Sequence, residues 1–388
     1  LNSTGTAAFT GSIAIGHQAL TAQTADAQSV AIGYQAGLAN QTGSKNVIIG
    51  YQAGITATDI DNAVLIGWKA GNAINANGGD ATVAIGYNAL TALTSGANNL
   101  AVGYLAGKTL TTGAQNIAIG RQALETHLTG ESNIAIGYLA MGDTLSGGGT
   151  TSQNSNHNTF IGLVSGGGQW ANAESNFNVG VGNYTMDGAM NGAGSNTAVG
   201  YGSLGALTQG DQNVAVGTVC MDSLTTGTNN TCIGYNADTS AVGSTNQTVI
   251  GFDAAGQADN SVTLGNASVD RVYMAQDGAA VMYANGTINT SDKRFKKDIK
   301  DSDLGLSFIN DLRPVKYKFK NSKNNDKKNY GIIAQEVIEV LNKHNAKDFS
   351  GIKDDNKEKL GADYVQFIAP LIKAVQELSA KVEALENK

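Results

Sequence analysis

The sequence predicts a mainly β fold, a solenoid or β-roll of about 17-residue coils, followed by a small α+β domain ending in a coiled-coil helix. Three observations carry this expectation. An aliphatic residue followed by glycine recurs through residues 1–265 with a dominant spacing of 17 residues. The composition changes abruptly at residue 290. The final stretch spaces its apolar residues as a heptad.

The repeat glycines run from Gly16, Gly33, Gly50 and Gly67 through Gly137, Gly162, Gly182 and Gly200 to Gly251 and Gly265. The residue before each is Ile, Val or Leu, and two earlier stands Val, Ile, Leu or Thr, with a mostly small residue between. Such alternation marks a short strand with one face buried, and glycine at its end marks a bend or a close backbone approach. A unit this short cannot bury its own face, so the coils must stack about 4.8 Å apart. Fourteen such steps make a rod of about 70 Å. The Ile/Val columns are expected to form its core. Asn stands four before the glycine in nine repeats, among them Asn46, Asn116, Asn133 and Asn213. It suits a left-handed corner and could stack into a ladder. An aromatic follows the glycine in nine, among them Tyr34, Trp68 and Phe252, and is expected to pack rather than to offer a sugar platform. So thin a core predicts association, as a homotrimer. On these columns the repeat resembles the left-handed β-roll of trimeric adhesin heads, whose units carry a similar N-x-V-A-I-G pattern. It also resembles the glycine-rich repeats of phage tail fibres.

The totals bound the remainder. Of 50 glycines, 46 precede residue 291, and both prolines follow it. Residues 1–290 hold 5 Lys and Arg against 16 acids, a net of −11, while residues 291–388 hold 20 against 16, a net of +4. Three segments are expected: the repeat over 1–265, a β-rich neck over 266–290 with "QDG" and "ANG" turns, and a C-terminal domain over 291–388. The opening "LNSTGTAAFTGSIAIG" already follows the repeat, so the chain is expected to be the C-terminal part of a longer one. No apolar run reaches the roughly 18–20 residues of a membrane helix, and membrane insertion is not expected. Cys220 and Cys232 are expected as small buried hydrophobes. His17, His127 and His157 are expected at the surface, without metal-ligand spacing. The acids lack a calcium pattern, and no metal, cofactor or nucleic-acid partner is expected. The repeats also lack a Thr-x-Thr row for ice binding and a paired-acid pattern for sugar hydrolysis.

Between Gly137 and Gly162 the coil grows to 25 residues, and the next takes 20. Insertions in solenoids map to loops that often bind. His157, Trp170 and Phe177, in or beside them, are candidates for contact with a receptor, polysaccharides included. A tolerated insertion without a role is the alternative.

At the compositional boundary stands "TINTSDKRFKKDI", residues 287–299, with Lys293, Arg294, Lys296 and Lys297 crowded behind Ser291. A serine hydroxyl needs a base, and a lysine serves as one only if its pKa falls well below about 10.4. Neighbouring cations and burial push it that way. Taken alone, the run also fits a solvated basic turn. Ser291 and Lys296, five apart, would meet only across a turn or through assembly.

"SDKRFKKDI" resembles the opening of the C-terminal intramolecular chaperone domain of endosialidase tail spikes and other phage fibres, which is also a self-cleaving peptidase. That motif runs Ser-Asp-x-Arg-Leu-Lys and then an aliphatic. Ser291, Asp292, Arg294, Lys296 and Ile299 match it, and Phe295 replaces the leucine. "LRPVKYKFK" (312–320), "YGIIAQEVIEVL" (330–341) and "YVQFIAPLIKAVQEL" (364–378) follow in the family's order, with Asn342 where a proline often stands. The resemblance implies cleavage between Thr290 and Ser291 in the assembled trimer. Ser291 would be the nucleophile, Lys296 its base, and Asp292 and Arg294 supporting residues.

Tyr364, Ile368, Leu371, Val375, Leu378, Val382 and Leu385 are spaced 4, 3, 4, 3, 4, 3, a seam expected to join three helices. A surface helix packed on its own domain is the alternative. The function expected is a trimeric phage tail fibre or spike tip in the virion. Its partners would be a cell-surface receptor and the rest of the tail. The alternative is a bacterial trimeric adhesin head without self-cleavage.

Overall fold

The computed structural model describes residues 11–24, 27–75, 78–143, 152–272, 293, 296–318, 328–355 and 359–388. The chain divides into two compact units, Leu1–Ala279 and Ala280–Lys388.

The first unit is a β-solenoid of about fourteen turns. Among its described residues fifteen short strands, β1 (Ile13–Ile15) through β15 (Ser261–Leu264), pair in parallel and strictly in chain order. Each pairs like column with like: Ile13 faces Val30, and Val47 faces Val64. Which side chains face inward reverses the expectation. The small middle residue, as in Ala31, Ala84, Ala101 and Ala135, is fully buried, while the flanking Ile and Val are half-exposed or exposed. Alternation along a strand must send one parity in and the other out. The narrow coil has room for the single small residue, not the two large ones. Leu90, Leu93, Leu110 and Leu124, from the turns that close the coils, fill the rest of the core. Where the middle residue is large, a neighbour yields: a Cβ on Gly71 would lie 2.8 Å from Leu65 Cδ2.

The repeat glycine is required on two grounds. Gly50 has φ +137°, and a Cβ there would lie 2.2 Å from the carbonyl oxygen of Gly67 in the next coil. The asparagine column forms the expected ladder, but not as the left-handed corner. The preceding residue takes that conformation, with φ +60° at Gln115 and +58° at Gln212. Asn itself turns inward. Asn116 N–H and Nδ2 donate to Asn99 Oδ1 at 2.9 and 3.2 Å, and Asn116 Nδ2 also donates to the Gly130 carbonyl at 2.9 Å. The same exchange links Asn133, Asn158, Asn178, Asn196, Asn213 and Asn230 in succession. The buried amide is thus satisfied at each rung that carries one of these asparagines.

His127 is a second correction. It stands one repeat after Leu110 and is fully buried. Its Nε2 lies 3.0 Å from the Ser155 carbonyl, so that nitrogen carries the proton, and the buried Nδ1 has no partner. Burial lowers its pKa to about 4. Cys220 and Cys232 are buried as expected, with Cys220 Sγ donating to the Cys232 carbonyl at 3.2 Å. The expected neck lies outside the described residues from 273 to 290.

In the second unit, helix α1 (Leu306–Asp311) precedes a hairpin of β16 (Val315–Tyr317) and β17 (Asn329–Gly331). Helix α2 (Ala334–Lys343) follows, then a hairpin of β18 (Ile352–Asp355) and β19 (Lys359–Ala362). A 3-10 turn at Tyr364–Phe367 leads into helix α3 (Ile368–Glu386). Leu304, Phe308, Val337, Leu341, Ala346 and Phe367 form a small core. Helix α2 continues through Asn342, which a proline at that position would oppose.

Two outcomes follow from the buried polar groups. Asn178→Ala removes the acceptor of Asn196 N–H and Nδ2 and strands the Ala193 carbonyl. It should weaken that rung by about 2 kcal/mol, seen as roughly thirtyfold faster amide hydrogen exchange at Asn196. Unfolded His127 would take up a proton near pH 6.5, whereas folded His127 resists until about pH 4. Its contribution is therefore intact above pH 6.5 and declines as the pH falls to 4, by about 3 kcal/mol in all. His127→Leu should flatten the thermal-melt profile across that window.

Candidate functional site

The basic run is described at Lys293 and from Lys296 onward; Thr290, Ser291, Asp292, Arg294 and Phe295 lie outside the described residues. Lys296 N–H donates to the Lys293 carbonyl at 3.1 Å, closing a turn. The Lys293 and Lys296 side chains face solvent, as does Ile299.

Beyond this turn, the segments that carried the family resemblance meet in space. "LRPVKYKFK" supplies β16, and "YGIIAQEVIEVL" supplies β17 and α2, so the two pair as one hairpin. Arg313 clasps Glu336 of α2, with Nε donating to Oε2 at 2.9 Å and Nη2 donating to Oε1. The guanidinium holds the Glu336 carboxyl below its usual range. Asp311, at the end of α1, takes Lys343 Nζ at 2.8 Å and His344 Nε2 at 2.7 Å, and the two hold its carboxyl low, Lys343 the more strongly. These pairs lie at the surface and act as register pins more than as sources of stability.

Helix α3 has two distinct faces. Pro370 and Ala374 are buried, and Glu377 on the same side accepts the Leu306 N–H at 2.8 Å, capping α1. A Cβ on Gly305 would lie 2.6 Å from that carboxylate, so a side chain there would push Glu377 off its cap. Opposite, Ile368, Leu371, Val375, Leu378, Val382 and Leu385 are all exposed, Val375 at 65% and Leu385 at 70%. The helix packs on its own domain through one face and leaves the heptad seam in solvent. Tyr364 is a correction. It sits in the 3-10 turn before the helix, and its hydroxyl accepts the Ile332 N–H at 3.2 Å. Sequence spacing picked out the heptad residues that α3 leaves exposed but missed the Arg313–Glu336 and Glu377 contacts, whose partners lie 23 and 71 residues apart.

On the solenoid, the receptor candidates separate. Trp170 is fully buried; its Nε1 donates to the Gly166 carbonyl at 3.0 Å, and its ring lies edge-on to Phe160 at 6.0 Å. It fills the enlarged coil and offers nothing to a partner. His157 and Phe177 are exposed and stack on each other, with centroids 5.1 Å apart. The aromatic column also stacks, from His17 through Tyr34, Tyr51, Trp68 and Tyr87 to Tyr104. Arg121 continues it as a cation between Tyr104 and Tyr138. Rings stacked this way cover one another's faces and show solvent their edges, which fits packing rather than a sugar platform.

Residues 291–345 match the family described as chaperone of endosialidase. The match begins at Ser291, where the composition changes, and takes in α1, both strands of the first hairpin and α2. No curated protein matches the chain. No helix among the described residues is long and apolar enough to cross a membrane. Together these findings define a class: a β-solenoid of short coils carrying a C-terminal region similar to the tail-spike type of intramolecular chaperone.

Proposed function

We propose that the chain forms a homotrimeric phage tail fibre or spike tip whose solenoid reaches a cell-surface receptor. Its C-terminal region gathers three chains and then cuts itself away between Thr290 and Ser291. The observation that carries this reading is the exposed heptad seam of α3, backed by a face already satisfied within its own unit. Six large apolar residues at coiled-coil spacing call for partner helices. The aliphatic stripe left outside the solenoid calls for partners too, and three copies of the same stripe meet that need.

A solenoid of this kind benefits from a helper. Alignment between separate chains is slow and exposes aggregating edges. Holding three C-termini together raises their effective concentration and sets a common register. In the cleavage, Ser291 Oγ adds to the Thr290 carbonyl while its proton passes to Lys296 Nζ. The C–N bond breaks as Lys296 returns the proton to the departing Ser291 amine, and water hydrolyses the resulting ester to release the Thr290 carboxylate and restore the Ser291 hydroxyl. Lys296 must be neutral to act, and its exposed position in one chain fits a reaction that waits for assembly to crowd it with cations. One turnover would leave the fibre kinetically trapped.

Denaturing electrophoresis of fresh protein should show fragments of 290 and 98 residues, and Ser291→Ala should stay whole. If both stay whole, self-cleavage is wrong. Leu378→Asp places a carboxylate in the seam of every helix. It should give monomers in sedimentation velocity and lower the cleavage yield roughly tenfold or more. Full cleavage by a monomeric variant would refute the dependence on assembly.

A further inference from the structure

His157 and Phe177 occupy the corner column five residues before the repeat glycine, on adjacent rungs, since Val179 faces Thr159 in the sheet. That column is otherwise polar or small, as in Gln115, Ser132, Ser195 and Gln212. Both residues are held left-handed, with φ +57° at His157 and +60° at Phe177. A bulky side chain is disfavoured in that conformation, and burial does not repay it here, because Phe177 is 59% exposed. In the aromatic column after the glycine, rings are the rule and form long stacks. Here the stack has two members and ends on a serine at each side: Ser132 precedes His157, and Ser195 follows Phe177. A serine has no ring to extend the stack, and both rings of the pair are exposed.

The polar border is equally specific. Asn156 and Asn176 flank the pair with Glu131 and Glu174; Asn156 Oδ1 accepts the Glu131 N–H at 2.7 Å, and Asn176 Nδ2 points to Glu174 Oε2 at 3.5 Å. From Arg121 to Arg271 the sequence has no lysine or arginine. An exposed aromatic pair bordered by amides and carboxylates, with no cation near in sequence, suits a ring with an apolar face and hydroxyl or acetamido edges. It repels carboxylated sugars.

We propose that His157 and Phe177 form a stacking subsite for uncharged sugar residues, neutral or N-acetylated, of a cell-surface polysaccharide. The site deepens the attachment reading above and rests on it. It excludes polyanionic glycans as the ligand, although the C-terminal region is similar to a chaperone of endosialidase.

The test applies the full chain to a printed array of neutral, N-acetylated and anionic bacterial surface oligosaccharides. Wild type should bind neutral or N-acetylated members. Phe177→Ser, which installs the residue of the next rung, should lower that signal about tenfold, and Phe177→Tyr should keep it within about twofold. Sedimentation velocity and thermal melts should match wild type for both variants. Binding that Phe177→Ser leaves unchanged, or binding confined to anionic glycans, overturns the subsite while leaving attachment standing. Loss of assembly in Phe177→Ser assigns the pair to a chain–chain contact and also overturns it. Binding to no member of the array removes the attachment reading together with the subsite.

Discussion

A coil of about 17 residues encloses very little space, and most of this structure follows from that limit. Most of the short strands turn one small side chain inward and two larger ones outward. The interior is therefore alanine-rich where the strands run, with leucines supplied by the turns. The exterior carries an aliphatic stripe that water does not favour. The narrowness also makes the repeat glycine obligatory, because the next coil's carbonyl already occupies the place of a side chain.

With so thin a core, the rungs hold together through groups that repeat at every step. The buried asparagines of the ladder take the N–H of the next asparagine on one side and a turn carbonyl on the other, so their own amides are satisfied. Stacked rings add a second column outside, in which Arg121 substitutes for a ring without breaking the series. These columns favour in-register pairing, because a slip by one residue would face Asn with an aliphatic position and strand its amide.

Much of this was legible in the sequence. The period, the strands, the asparagine ladder and the helical ending follow from spacing, since each reflects a local rule applied many times. Two readings failed for the same reason. The Ile/Val columns were expected inside, and Trp170 and His127 outside, because residue type was used as a guide to burial. In a coil this narrow, parity and volume decide instead: alanine goes in, and a large ring goes in only where the coil is enlarged or a leucine's place is vacant. The left-handed corner was placed one residue late, since Asn is a familiar corner residue and the polar Gln115 or Ser132 carries no such signal. In the C-terminal unit the heptad was visible by period. The Glu377 cap and the Arg313–Glu336 clasp join distant segments, which periodicity cannot detect.

The asparagine ladder crosses the 25-residue coil without a break: Asn158 N–H reaches Asn133 Oδ1 at 3.0 Å, the same separation as between Asn116 and Asn133. Register is thus remembered by the rung and not by the length of chain between rungs. Evolution can lengthen or exchange a corner of such a molecule without disturbing the layers above and below. A scaffold with that tolerance can diversify what it shows to the outside while its architecture stays constant.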